Sequence, residues 1–383
     1  MINLDRANTS FLGKWWWSID RYSVICIFLM LTLSAVLIMA SSPSVAVRIG
    51  FESFYFIERQ MVFIAMAFVV IFVISLLTPS IIRRLAVTGF AGCYVLLIAV
   101  FFIGTEVKGA KRWIALDGFS LQPSEFIKTF LVVMVAGLLA KNYERPLLQK
   151  FRIPFALYVM VCFALILEPD FGMTVGITLV FASQLFIAGL PFLWIAAMAA
   201  LGIIGGIGAY FFLPHVTQRI NNFLDPASGD NYQISKSLQA FSSGGLYGRG
   251  PGEGVVKHSL PDAHTDFIFA VAGEELGMIT CVAIILLFAF VVIRGLARLA
   301  REEDVFVTYA VSGLLIQFGM QAIINMSSTM SLIPTKGMTL PLISYGGSSM
   351  LSVALSLGVI LALTRRRYGG KDLKPGRWRR EIT

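Results

Sequence analysis

Charge is scarce in this chain. Only 14% of its 383 residues are Asp, Glu, Lys or Arg, against about 25% in ordinary soluble domains. Hydrophobic residues make up 57%, and mean hydropathy is +0.79. This balance excludes a water-soluble enzyme, and it is the reverse of what a disordered chain requires. Histidine and cysteine are also rare, at 3 and 4 residues. Cys26, Cys93, Cys162 and Cys281 each sit inside an apolar run, where a thiol behaves as a small hydrophobe. Their spacing suits neither a metal site nor a disulfide framework. A nucleotide-binding loop is missing too. The glycine-rich stretch 248–252 lacks the Walker spacing, and Lys257-His258-Ser259 lacks its context.

Long apolar sequence is what the chain has in abundance. A membrane-crossing helix needs about 20 mostly apolar residues, within a range of about 17–25. Such runs lie near 22–42, 57–77, 82–104, 124–140, 153–168, 172–190, 192–213, 267–293, 305–333 and 341–364. They predict an all-α polytopic membrane protein with ten transmembrane helices. The sixth and seventh runs are parted only by Gly189-Leu190-Pro191, but one merged helix would be far too long for a bilayer. The first run exceeds the 7–15 apolar residues of a signal peptide, so it reads as an anchor. Residues 1–21 form a leader whose Lys14 and Trp15-Trp16-Trp17 suit the membrane interface. Residues 22–364 form the membrane domain.

With the leader placed in the cytoplasm, twice as many Lys and Arg fall inside as outside. That asymmetry predicts cytoplasmic termini, and it accounts for the net charge of +9 without invoking nucleic acid. The basic tail 365–383 then lies at the lipid surface. One long extracytoplasmic loop, about 214–266, joins the seventh and eighth spans. Within it, residues 234–241 show partial helical spacing and predict a short interfacial helix.

Ionisable groups in or beside spans cost about 2.5–3.5 kcal/mol at a helix centre and mark function by default. Three places stand out. Gln122-Pro123-Ser124-Glu125-Phe126-Ile127-Lys128 opens the fourth span. Glu125 and Lys128 share a helix face, either neutralising each other or aiming a cation at an anionic substrate. Glu168-Pro169-Asp170-Phe171-Gly172 is a short outer turn in which Asp170 is expected to cap the next helix, with metal or sugar binding left open. In Pro261-Asp262-Ala263-His264-Thr265-Asp266, the polar residues alternate on an extended approach to the eighth span. Asp266 there is either a helix cap or a partly desolvated general base. Zinc binding by His264 is not supported, because no second His or Cys lies at ligand spacing. Glu274 and Glu275 follow, with Gly273 and Gly277 permitting close helix contact. Finally, two prolines and three glycines break the segment 334–349, which carries Lys336, Ser344, Ser348 and Ser349. Broken backbone at membrane depth lines a cavity or is buried in protein. The outer half therefore collects Arg59, Arg112, Lys128 and Lys336 with Asp170, His264 and Asp266. A cationic cluster with one candidate base suits a substrate bearing phosphate and a hydroxyl.

At these residues the chain resembles a known family. His264-Thr265-Asp266-Phe267-Ile268-Phe269, Gly273-Glu274-Glu275-Leu276-Gly277, Pro334-Thr335-Lys336-Gly337 and Ser344-Tyr345-Gly346-Gly347-Ser348-Ser349 resemble blocks of the SEDS family (shape, elongation, division, sporulation). Gly109-Ala110-Lys111-Arg112-Trp113-Ile114, the Gln122 block and the Glu168 block do so too, and the likeness runs over about residues 20–367. The Pro334 block is more similar to the division branch than to the elongation branch. The resemblance implies a peptidoglycan glycosyltransferase that polymerises lipid II at the outer face of the bacterial plasma (inner) membrane, at the division septum. It implies as partners undecaprenyl-linked glycan, a class B penicillin-binding protein (an FtsI-like transpeptidase) and other division membrane proteins. Asp266 becomes the essential carboxylate, read as the general base, and Glu125 with Lys128 the paired groups of the fourth span. Arg59 and Arg112 join Lys128 against phosphate charge, and Asp170, His264, Lys336 and Ser344 complete the expected substrate-binding set. A divalent cation, Mg or Mn, is left open as a cofactor. Where many division members carry an Arg before the Gln-Pro-Ser-Glu block, this chain has Ser120. The alternatives are a lipid II transporter and a division scaffold. Against the first, no matching pair of broken helices marks two halves, and tails of about 20 residues serve the second poorly.

Overall fold

The computed structural model describes residues 10–107, 110–116, 119–212, 214–224, 232–334 and 337–365. A short helix, α1 (Phe11–Ser18), precedes α2 (Arg21–Arg48), α3 (Tyr55–Ser75) and α4 (Pro79–Ile103). Three short strands follow, β1 (Thr105–Val107), β2 (Ala110–Leu116) and β3 (Phe119–Leu121), forming an antiparallel sheet in that order. Next come α5 (Pro123–Lys141), α6 (Leu147–Leu167), α7 (Phe171–Ile187) and α8 (Phe192–Phe212). The connection to the eighth apolar run contains α9 (Pro214–Leu224), α10 (Tyr232–Gly244) and a 3-10 turn (Val256–Ser259). The chain ends with α11 (Ile268–Leu299), α12 (Val305–Thr329) and α13 (Gly347–Leu363).

Eight of these helices are long and apolar enough to cross a membrane: α2, α3, α4, α5, α6, α8, α11 and α12. Two shorter apolar helices, α7 and α13, have 17 residues each. At 1.5 Å per residue they are about 26 Å long, short of a hydrocarbon core of about 30 Å. The tenth apolar run starts as backbone turns rather than helix, with Leu342 at φ +61°. The start signals are local. Thr78 Oγ1 accepts from Ile81 N ahead of Pro79, Asp304 Oδ1 accepts from Phe306 N at 2.8 Å, and Pro123 opens α5.

Helices α5, α12 and α13 form the inner layer, and α8 lies at the opposite extreme, with 6% of its apolar window buried. The inner layer carries a polar seam. Thr129 Oγ1 meets Ser356 Oγ at 2.7 Å, and Ser352 Oγ donates to the Glu125 carbonyl at 2.5 Å. Hydroxyl and amide groups buried among apolar helices fix register where apolar packing alone is permissive.

α11 is interrupted. Gly277 has φ +80° and ψ 176°, so a nine-residue helical piece precedes the main span. The glycine-rich turn after α10 fills the break. Met278 N donates to the Gly245 carbonyl at 3.0 Å, while Arg249 N and Gly250 N donate to the Glu274 and Glu275 carbonyls at 3.0 and 2.9 Å. This brings the expected external loop back onto the start of α11.

Candidate active site

Asp266 stands one residue outside the opening position of α11, which is Phe267. The approach to it is a tight turn, not the extended segment expected from alternation. Asp262 takes φ +52°, and its carbonyl accepts from Thr265 N and Phe267 N at 3.1 and 3.4 Å. Three successive carbonyls are then gripped, two by the α12–α13 connection and the third by α12 itself. Tyr345 N donates to His264 O at 2.8 Å, Ser344 Oγ donates to Thr265 O at 2.6 Å, and Asn325 Nδ2 donates to Asp266 O at 2.9 Å. The Asp266 side chain is partly exposed. Gly337, at φ +63°, lines its carboxylate: a Cβ there would stand 3.4 Å from Oδ2.

Lys128 and Glu125 are both buried, at 4% and 8% exposure. The ammonium donates to Glu125 Oε2 at 2.6 Å and to Gln321 Oε1 at 2.8 Å. Gln321 in turn donates to the Thr339 carbonyl at 3.1 Å. A narrow cleft opens beside Lys128 between α5, α7 and α12, lined by Ile177, Phe181, Gln317, Gln321 and Met338 among others. It is apolar except for that cation and three amides, Gln184, Gln317 and Gln321.

Arg112, on β2, reaches the α6–α7 turn. Its Nε donates to the Glu168 carbonyl at 3.1 Å and its Nη2 to the Pro169 carbonyl, while Nη1 lies 3.7 Å from Asp170 Oδ1. Asp170 is also the expected cap, accepting from Met173 N at 3.2 Å. Glu168 is 2% exposed, and neither of its carboxyl oxygens has a hydrogen-bond partner among the described residues. Burial pushes its pKa up to about 8, the Asp170 charge adding and Arg112 opposing.

Arg59 forms another node. Its guanidinium lies 4.3 Å over the Tyr55 ring, and its charge opposes the upward push that burial gives the Tyr345 hydroxyl. The His264 ring packs between Phe56 and Tyr345, at centroid distances of 4.5 and 5.3 Å. Burial pulls its pKa down to about 4, against the pull of Asp262. His264 is thus a neutral aromatic wall near pH 7. Lys336 lies outside the described residues. Ser348 bridges the sheet to α13, accepting from Gln122 N and donating to Ser120 O.

The structure therefore spreads the expected residues over neighbouring nodes: Asp266 with His264 and Ser344, Lys128 with Glu125, Arg112 with Asp170, and Arg59 with Tyr345. The α12 amides Gln317, Gln321 and Asn325 complete the first two. The sequence carried a signal for them, three amides at helical spacing in an otherwise apolar run. Below the site, Glu274 Oε1 accepts from Val255 N and Val256 N at 2.7 and 2.6 Å, and Lys257 pairs with Glu275. Among the described residues no group of three or more His, Cys, Asp or Glu could hold a metal ion. A divalent cation here would draw most of its ligands from a substrate's phosphates and water, as Mg²⁺ commonly does.

The sequence matches the cell cycle protein family FtsW–RodA–SpoVE over residues 20–369. It is 44% identical over 365 residues to a Caulobacter vibrioides protein described as a probable peptidoglycan glycosyltransferase FtsW, covering 95% of this chain and 94% of that one. A Coxiella burnetii protein of the same description is 36% identical, with 91% and 96% covered. Among solved structures, a chain of a peptidoglycan synthase complex coordinating polymerization and crosslinking superposes with TM-score 0.77 at 24% identity, covering 91% of this chain and 98% of that chain. The rod shape determining protein RodA of Thermus thermophilus gives TM-score 0.68 at 23% identity, covering 91% and 97%. The fold is thus shared with these membrane proteins.

Proposed function

The chain belongs to the FtsW–RodA–SpoVE family of cell cycle proteins, and on that premise we propose that it is a peptidoglycan glycosyltransferase. It polymerises lipid II at the outer face of the plasma membrane during division, beside a class B penicillin-binding transpeptidase, with both termini in the cytoplasm. One observation carries the reading. A carboxylate stands on a turn whose three carbonyls are individually held, and the α12 amides connect that turn to a buried lysine beside a largely apolar cleft. Such a site suits a substrate with a sugar hydroxyl, a phosphate group and a long hydrocarbon chain.

In the proposed reaction Asp266 takes the proton of the GlcNAc 4-hydroxyl of an incoming lipid II. The oxygen attacks C1 of the MurNAc at the end of the growing chain, and the bond from C1 to the pyrophosphate oxygen breaks. Configuration inverts, and undecaprenyl pyrophosphate departs with the bonding electrons. Two of the three Lys128 N–H groups go to Glu125 and Gln321, and the third is assigned to a phosphate oxygen. Preorganised cations at the point where charge develops give such sites much of their rate. Arg112 and Arg59 add positive potential, and Arg112 also holds the α6–α7 turn in place.

The test is polymerisation of fluorescent lipid II by the protein purified with its transpeptidase. Asp266→Asn should lower the rate by about 100- to 10,000-fold, the usual contribution of a general base, in a protein that still folds and binds its partner. Ladders equal to wild type would remove Asp266 from that role. Lipid scrambling by wild type without any ladders would make the protein a transporter.

A further inference from the structure

Gln317, Gln321 and Asn325 are four residues apart and so occupy one face of α12. Their partners lie on α5, on the α12–α13 connection and on the turn before α11. Gln317 Nε2 donates to Thr129 Oγ1 at 3.3 Å, Gln321 joins Lys128 to Thr339, and Asn325 divides its two N–H groups between the carbonyls of Asp266 and Met338, at 2.9 and 2.6 Å. Asn325 is 2% exposed, and its Oδ1 has no hydrogen-bond partner among the described residues. A buried acceptor left empty is unfavourable, so the residue's use lies in its two donors. Its planar NH₂ group offers two diverging N–H bonds that bridge two main chains without adding charge. Asp lacks both donors, Leu lacks both, and Ser offers one.

We propose that Asn325 is a positioning residue for sugar transfer: by bridging the main chains of Asp266 and Met338 it sets where the Asp266 carboxylate stands relative to Gly337 and, through Gln321, relative to Lys128. The inference rests on Asp266 being the base. The carbonyls of His264 and Thr265 are held by the end of the same connection, through Ser344 and Tyr345. The Asp266 carbonyl is held from a different element, and the same amide pins the chain one residue past Gly337. Without it, the turn keeps its attachment to the 344–345 end, while Asp266 and the 337–339 segment separate. Reacting atoms must approach to about 3–3.5 Å, and a misplacement of 1 Å can cost about 100-fold in rate.

The experiment compares wild type, Asn325→Leu, Asn325→Ser and Asp266→Asn, each as the full chain co-purified with its transpeptidase. Melting temperature and pH profiles of kcat and kcat/KM for lipid II polymerisation are measured. Asn325→Leu should lose about 10- to 100-fold in kcat with KM within about threefold of wild type, and the acid limb of its profile should shift. Asn325→Ser, which keeps one donor, should fall between Leu and wild type. A merely structural role would scale the whole profile down with the melting temperature and leave the acid limb in place. That result, in whichever Asn325 variant folds, overturns the proposal, as does wild-type kcat. An active Asp266→Asn overturns the base assignment itself, a separate failure.

Discussion

At the scale of single residues, Glu168 sits far from the neighbourhood a carboxylate usually has. With its pKa at about 8 instead of 4.5, the folded protein keeps a proton that the unfolded chain releases between those values. Stability therefore falls as pH rises from about 4.5 to 8 and is independent of this group above that window. Glu168→Gln keeps a neutral group of the same shape and escapes the loss. Its melting temperature should match wild type near pH 5, exceed it increasingly toward pH 8, and hold a constant margin above. A margin that does not change with pH would mean that the carboxyl is ionised throughout. The sequence exposed only part of this arrangement. Asp170 reads as a helix cap from its local position, and it is one. The burial of Glu168 depends on Arg112, 56 residues earlier, which reaches the turn on a strand that no local pattern announced.

At the scale of elements, the break in α11 shows what apolar periodicity hides. Hydropathy continues through residue 277, so the sequence predicts one uninterrupted span, and glycine there reads as a point of close helix contact. Gly273 does serve that purpose, since a Cβ on it would lie 2.4 Å from the Phe241 ring. Gly277 does something else: its φ of +80° turns the chain, and its missing Cβ leaves room for Leu246 O and Gly248 N, which would lie 2.3 and 2.4 Å from it. Composition sees an apolar residue; only the fold sees the left-handed backbone and the segment seated against it. Gly277→Ala should therefore destabilise by more than about 1 kcal/mol, read as a lower melting temperature. Because the displaced segment leads to the turn bearing Asp266, polymerisation should fall as well. An alanine variant with wild-type melting would show that the break is not required. The small sheet between α4 and α5 was invisible for a different reason. Its strands have 3, 7 and 3 residues, too short for an alternating pattern to emerge, and β2 carries Lys111 and Arg112. The broken start of the tenth apolar run, by contrast, was legible from its prolines and glycines.

At the scale of the whole molecule, ion pairs close both ends of the bundle. One end holds the proposed sugar-transfer residues, with Lys128 paired to Glu125, Arg112 to Asp170 and Lys257 to Glu275. The other is stapled by a single buried aspartate. Asp20 accepts from Arg294 at 2.6 and 2.9 Å and lies 3.2 Å from Arg298. Burial pushes the Asp20 carboxyl up, but hydrogen bonds from Arg294 and Ser23 and the charge of Arg298 bring it below its ordinary value. Arg298 also bonds the Thr364 carbonyl, Arg365 bonds Ser18, and Trp15 bonds Ser75 at 2.8 Å. This stapled end joins α1, α2, α3, α11 and α13, and it carries the basic segments whose excess predicts a cytoplasmic face. The proposed orientation then follows from charge, and it can be read directly. Glu52, between α2 and α3, and Glu144, between α5 and α6, are both exposed and belong to opposite ends. Three of the four native cysteines are buried and the other is half-buried, which keeps background labelling low. Glu52→Cys should react with a membrane-impermeant maleimide in right-side-out vesicles, and Glu144→Cys only in inverted or permeabilised ones. The reverse pattern would put Asp266 in the cytoplasm, on the wrong side of the membrane for building a cell wall, and the glycosyltransferase assignment would fall with the orientation.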